Sequence, residues 1–131
     1  MHEHPNAARI RELFVAFRSA DVAAIERVVP ADAVWHFPGR AGRLAGAHRG
    51  REAIFAFLGR VLELTGGTFE LDLHDVLASE AWAVALFTGK AERNGKRLDN
   101  PTCLRIRMEE GRAIEVHEFV WDLYAVEDFW S

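Results

Sequence analysis

The 131-residue chain has a single cysteine, Cys103, so no internal disulfide can form. No CxxC or paired Cys/His spacing is present to hold a structural zinc. No apolar run approaches the roughly 20 residues that a helical bilayer crossing needs. The polar stretch at residues 1–6 has no apolar signal core. A reducing, cytoplasmic setting without a membrane partner is expected. Positive charge is also scarce. Sixteen Lys and Arg against 20 Asp and Glu give a formal net charge of −4, a balance that argues against nucleic acid as the main partner. Gly-x-Ser-x-Gly, GxxxxGK(S/T) and HExxH are all absent, which removes the usual serine-hydrolase, P-loop and zinc-protease readings.

Half of the residues are apolar, enough for one sizeable core. The length fits one domain, residues 1–131. Asn6 is placed to cap a first helix, along which Ile10, Leu13, Phe14 and Phe17 recur on one face. Asp21 is placed to cap a second, shorter helix burying Val22, Ile25, Val28 and Val29, and Pro30 ends it. Ala33 to Phe37 reads as a short strand. A loop follows with four glycines and with Arg40, Arg43, Arg49 and Arg51, a cluster read as solvated surface rather than an anion site. Glu52 to Thr65 reads as a third helix, with Ile54, Phe55, Leu58, Val61 and Leu62 inward and Gly66-Gly67 at its end.

The rest reads as strands. Phe69, Leu71 and Leu73 alternate with polar residues, and a slip at Val76-Leu77 suggests a bulge. Ala81 to Glu92, Lys96 to Met108 and Ala113 to Asp122 follow, with Asn94-Gly95 as a type I′ hairpin turn. A short aromatic tail, Leu123 to Ser131, is expected to dock on the body. Helices first and strands later make an α+β fold: three N-terminal helices on a curved, mainly antiparallel sheet enclosing a pocket.

At this point the chain resembles the SnoaL-like branch of the nuclear transport factor 2-like superfamily, which includes ketosteroid isomerase. The resemblance is carried by Asp21-Val22-Ala23-Ala24-Ile25, by Val34-Trp35-His36-Phe37-Pro38-Gly39 and by Leu44-Ala45-Gly46. His48-Arg49-Gly50-Arg51-Glu52-Ala53-Ile54, Gly111 to Val116 and Glu118 to Asp122 complete it. It implies a cone-shaped fold. In some members it also implies cofactor-free chemistry: isomerisation, aldol-type cyclisation, dehydration or epoxide hydrolysis. A homodimer through the sheet is likewise implied. Phe37 falls where the isomerase carries its general-base aspartate, so the familiar isomerase route is not expected.

By comparison with that isomerase, Val116, Glu118, Val120 and Asp122 face the pocket. A carboxyl there would have a raised pKa and could work as an acid or base. The catalytic candidates are Asp122, Glu118 and His36. The structural alternatives are that Glu118 pairs with Arg105 or Arg49, that Asp122 caps the following turn, and that His36 is hydrogen-bonded structure or surface. Trp35, Phe37, Leu58, Leu104 and Val120 are expected in the wall, although Trp35 and Phe37 could equally be plain core. Asn100 and Thr102 are candidates to hydrogen-bond a ligand oxygen, or else satisfy the backbone. His2 and His4 form the only HxH pair and the other histidines are scattered, so neither a metal nor another cofactor is expected. The expected function is a cofactor-independent isomerase, cyclase or hydratase acting on a small apolar carbonyl compound. The alternatives are a non-catalytic ligand binder and a protein-docking domain of the same fold.

Overall fold

A computed structural model describes residues 3–131 and has the α+β architecture expected from the sequence. Helix α1 (Pro5–Ser19) is capped by His4, whose Nδ1 accepts from the Asn6 N–H at 3.1 Å. Asn6, expected to be the cap, is instead buried. Its side-chain amide donates to the carbonyls of Ser79 and Glu80, at 2.9 and 3.1 Å, and so ties α1 to a distant turn. Ile10, Leu13 and Phe14 lie in the core as their spacing predicts. Helix α2 (Val22–Val28) is capped by the Asp21 carboxylate, but Val22 is exposed rather than buried.

Strand β1 (Val34–Phe37) pairs antiparallel with β2 (Gly46–Arg49), a strand that the glycine-rich loop reading did not anticipate. Gly46 and Gly50 flank the body of β2 with φ of 110° and 89°, values that suit glycine alone. Helix α3 (Arg51–Leu64) follows. Phe57 and Val61 are buried on it while Leu62 is exposed, so the inner stripe runs through Phe57 rather than Leu62.

Strands β3 (Glu70–Ala78), β4 (Trp82–Arg93), β5 (Lys96–Glu109) and β6 (Arg112–Val120) form an antiparallel meander. The β3 bulge lies between Leu73 and Asp75, earlier than Val76-Leu77. β6 then pairs parallel with β1, giving the six-stranded order β2-β1-β6-β5-β4-β3. That parallel pair closes the sheet's middle and sets two distant segments side by side.

The tail forms a fourth helix, α4 (Leu123–Trp130), against β5. Its C-terminal carbonyls are held by basic side chains from the β4–β5 hairpin. Arg93 Nη1 donates to the carbonyls of Phe129 and Ser131, at 3.0 and 2.7 Å, and Lys96 Nζ to that of Asp128 at 2.8 Å. At the other side, Glu127 Oε2 accepts from the Arg40 and Ala41 N–H groups. Gly39 sits below that carboxylate at φ 90°, where a Cβ would come within 2.8 Å of it. Val126, Phe129 and Trp130 are thereby fixed in the core. No helix among the described residues is long and apolar enough to cross a membrane.

Candidate functional site

One face of the sheet, with α1, α3 and α4 over it, encloses a cavity of ≈ 70 Å³. A single water fills about 10–15 Å³ on that scale, so the space suits a few waters or one small organic ring. Strict alternation along β5 brings Leu98, Asn100, Thr102 and Leu104 to the wall, and alternation along β6 brings Glu118 and Val120. Trp35 and Phe37 enter from β1, and Leu58 from α3. Most of the rest is aromatic. Phe57 contacts the rings of both Trp35 and Phe37, with centroids at 5.8 and 5.5 Å, and Phe14 packs edge-on against Phe87 at 5.4 Å. Trp130, in the aromatic tail that the sequence offered as a cover for the pocket or for a subunit interface, does line the cavity, whereas Phe57, Phe69, Phe87 and Val126 are legible from the sequence only as apolar residues, not as cavity wall.

Among the described residues, Glu118 is the only ionisable side chain in the wall. The residue is half-buried, but its carboxyl head is withdrawn from water. Neither Arg105 nor Arg49 reaches it. Oε1 accepts from Trp35 Nε1–H at 3.1 Å. Oε2 has no hydrogen-bond partner among the described residues. No buried side-chain oxygen there is left both sealed and unpartnered, so Oε2 keeps open space beside it. Desolvation pushes the Glu118 pKa up to about 7, against a smaller opposing pull from the Trp35 hydrogen bond, which favours the carboxylate. Trp35→Phe keeps most of the ring and removes that donor. It is expected to move the Glu118 midpoint further above 7, as followed by the pH dependence of its side-chain carboxyl carbon shift in NMR.

Asn100 and Thr102 are buried in the wall, yet their polar hydrogens are already engaged. Asn100 Nδ2 donates to the Pro101 carbonyl and Thr102 Oγ1, at 3.2 and 3.4 Å, and Thr102 Oγ1 donates to the Asn100 carbonyl at 3.1 Å. Asn100 Oδ1 accepts from the Asp122 N–H at 3.2 Å. The pair thus stiffens the β5–β6 end instead of offering donors. The indole N–H of Trp130, a residue that also lines the cavity, has no hydrogen-bond partner among the described residues.

Two of the three catalytic candidates lie outside the cavity. Asp122 is exposed and caps α4, its Oδ1 accepting from the Ala125 N–H at 3.0 Å. β6 ends at Val120, so the alternation that pointed Asp122 inward no longer applies. His36 faces the opposite side of the sheet. Its Nε2 lies 2.8 Å from Glu115 Oε2 and its ring stacks on His117 with centroids 4.1 Å apart. The His36 hydrogen bond holds the Glu115 carboxyl below its ordinary range, and burial, helped by the His36 charge, lowers His117. His48 stacks on Phe57 at 4.3 Å, and its Nε2 lies 2.8 Å from the Leu44 carbonyl oxygen. His2 lies outside the described residues.

Comparison with known proteins agrees with this architecture. An uncharacterised protein of Mycobacterium tuberculosis is 32% identical over 123 residues, which cover 93% of each chain. The solved structure of Bal32a, from a soil-derived mobile gene cassette, superposes with a TM-score of 0.92 at 41% identity over 97% of both chains. A putative SnoaL-like polyketide cyclase from Jannaschia sp. CCS1 shares the fold at a TM-score of 0.79 and 20% identity, over 98% of this chain and 93% of its own. The solved neighbours include nuclear transport factor 2-like proteins. The SnoaL-like domain model matches residues 10–116, most of the chain. With this pattern on the fold already described, the chain belongs to the SnoaL-like domain family.

Proposed function

We propose that the cavity binds one small, largely apolar carbonyl compound and that Glu118 moves a proton on it without a cofactor. The observation that carries this reading is the carboxyl itself: one ionisable group in an aromatic cavity, with a pKa of about 7 and one oxygen unpartnered. Such a group is divided between acid and base forms near neutrality, where proton transfer in both directions is efficient. As carboxylate it takes a proton from a carbon next to the carbonyl. The C–H electron pair becomes a C=C bond, and the carbonyl π pair moves to oxygen. Where the substrate has a C=C bond β,γ to the carbonyl, that enolate is a conjugated dienolate: the carboxylic acid returns the proton to the γ carbon, the carbonyl π bond re-forms and the C=C bond ends α,β, completing an isomerisation. Alternatively the enolate carbon attacks a second carbonyl, whose π pair moves to its oxygen and takes the proton back from the Glu118 carboxylic acid; this closes a ring, and ring closure is what the name of the Jannaschia protein describes. The Trp130 indole N–H is the side-chain donor left in the wall for the developing oxyanion.

A binding-only role is favoured by one observation. Asn100 and Thr102 have no polar hydrogens left for a ligand, so oxyanion stabilisation would rest on few groups. The test is a thermal-shift and native mass spectrometry screen of small ketones, lactones and aromatic polyketide-like compounds. It is followed by deuterium wash-in from D2O at the carbon next to the carbonyl. The enzyme reading expects wash-in with the wild type and a loss of at least about 100-fold in Glu118→Gln, with binding retained. Binding without wash-in in the wild type makes the protein a carrier.

A further inference from the structure

The geometry points to a second site, on the sheet face opposite the cavity, where His36, Glu115 and His117 bind a zinc-type divalent metal ion. The three side chains come from two strands paired in parallel. His36 on β1 is the direct neighbour of His117 on β6, and Val34 is that of Glu115. Glu115 and His117 are two residues apart on one strand and so project from the same face. One ligand atom from each of the three lies within 4.8 Å of both others. Backbone register, rather than long side chains reaching out, sets this spacing.

The donor set selects the metal. Two imidazoles and one carboxylate suit Zn²⁺, Co²⁺ or Ni²⁺, whereas Mg²⁺ and Ca²⁺ take oxygen ligands. In a tetrahedral zinc site the ligand atoms stand about 3.3 Å apart, from Zn–N and Zn–O bonds of about 2.0–2.2 Å. His36 Nε2 and Glu115 Oε2, now 2.8 Å apart, need to open by only about half an ångström. The side chains of His36 and Glu115 are 28% and 44% exposed, so solvent can supply a fourth ligand. Two charges oppose the ion. Arg105 and Arg107 on β5 are the cross-strand partners of His117 and Glu115, but both guanidinium groups lie over the Trp82 ring, 4.4 and 5.3 Å from its centroid, and those contacts hold them to the side. Alternation along β6 sends the Glu118 side chain to the other face, so a metal here is separate from the proton-transfer group.

The test is isothermal titration calorimetry of ZnCl₂ into untagged, chelator-treated protein, with the Co²⁺ absorption spectrum as a readout of coordination. One zinc per chain is expected, with an intense tetrahedral Co²⁺ band. His117→Ala and Glu115→Gln should each weaken binding at least about tenfold. His36→Asn should do the same. His2→Asn and His74→Ala should leave it unchanged, which separates this site from the N-terminal HxH pair and from an isolated surface histidine. Absence of zinc binding by the wild type, or binding that survives His117→Ala and is lost in His2→Asn, overturns the assignment. Far-UV circular dichroism of each variant keeps a folding failure from passing as lost binding.

Discussion

Replacing Glu118 by glutamine is expected to raise the melting temperature above pH 7 while changing it little near pH 4.5. The folded carboxyl keeps its proton up to about pH 7, and the unfolded one releases it near the ordinary value of 4.5. Between those values the folded chain binds more protons than the unfolded chain, so stability falls as pH rises. Above 7 both states are ionised at this position and the deficit stays constant. Holding an ionised carboxyl in the cavity then costs on the order of 3 kcal/mol, from about 1.4 kcal/mol for each pKa unit. Glutamine is nearly isosteric, still accepts from Trp35 Nε1–H and does not ionise. The expected gain is therefore of order 5–10 °C at about pH 8, vanishing toward pH 4.5. Thermal denaturation of both proteins across that range checks it. A pH-independent difference would mean that the carboxyl is not desolvated in the folded state.

The same variant is the one expected to lose proton transfer. A change that stabilises the fold and removes activity marks a site where an uncomfortable charge is kept for its chemistry. If Glu118 served structure alone, the gain at high pH would appear with no loss of proton transfer, so it is the pair of readouts that identifies the role.

Much of this site was legible in the sequence wherever one strand's alternation sufficed. Asn100, Thr102, Leu104, Glu118 and Val120 share the cavity because β5 and β6 keep their period without interruption there. Asp122 shows where that reasoning stops. The strand ends two residues earlier, and a helix cap takes a side chain that parity alone would aim inward. Helix α4 was read as a tail because its eight residues have no acidic group in the first turn and no basic group in the last, and its anchors, Arg93 and Lys96, lie on a distant hairpin. β2 was hidden by glycines that also serve its turns. The cluster of His36, Glu115 and His117 could not be found by spacing, since 81 residues separate the two histidines. It exists only because β1 joins β6 in parallel, a long-range pairing with no local signature. Identity at single positions was legible, but what desolvates Glu118 was not, because that depends on aromatic rings from three helices meeting over one sheet.

Trp130 separates the roles of dryness and donation in that cavity. It is 3% exposed, packs edge-on against Phe129 with centroids at 4.7 Å, and forms part of the wall from α4. Trp130→Ala removes a buried indole from one of the three apolar residues by which α4 enters the core. A loss of about 3–5 kcal/mol is expected. Water then enters where the ring stood, the desolvation that raises Glu118 weakens, and its pKa falls from about 7 back toward 4.5. Trp130→Phe retains most of the apolar bulk and lacks only the N–H. Its expected cost in stability is smaller, the Glu118 midpoint stays near 7, and proton transfer falls because the oxyanion has lost its donor. Side-chain carboxyl NMR titration of Glu118 in the two variants, read beside deuterium wash-in, distinguishes these outcomes. A Glu118 midpoint unmoved in Trp130→Ala would show that α4 does not keep the carboxyl dry. Wash-in unchanged in Trp130→Phe would show that the oxyanion is held by something other than this indole.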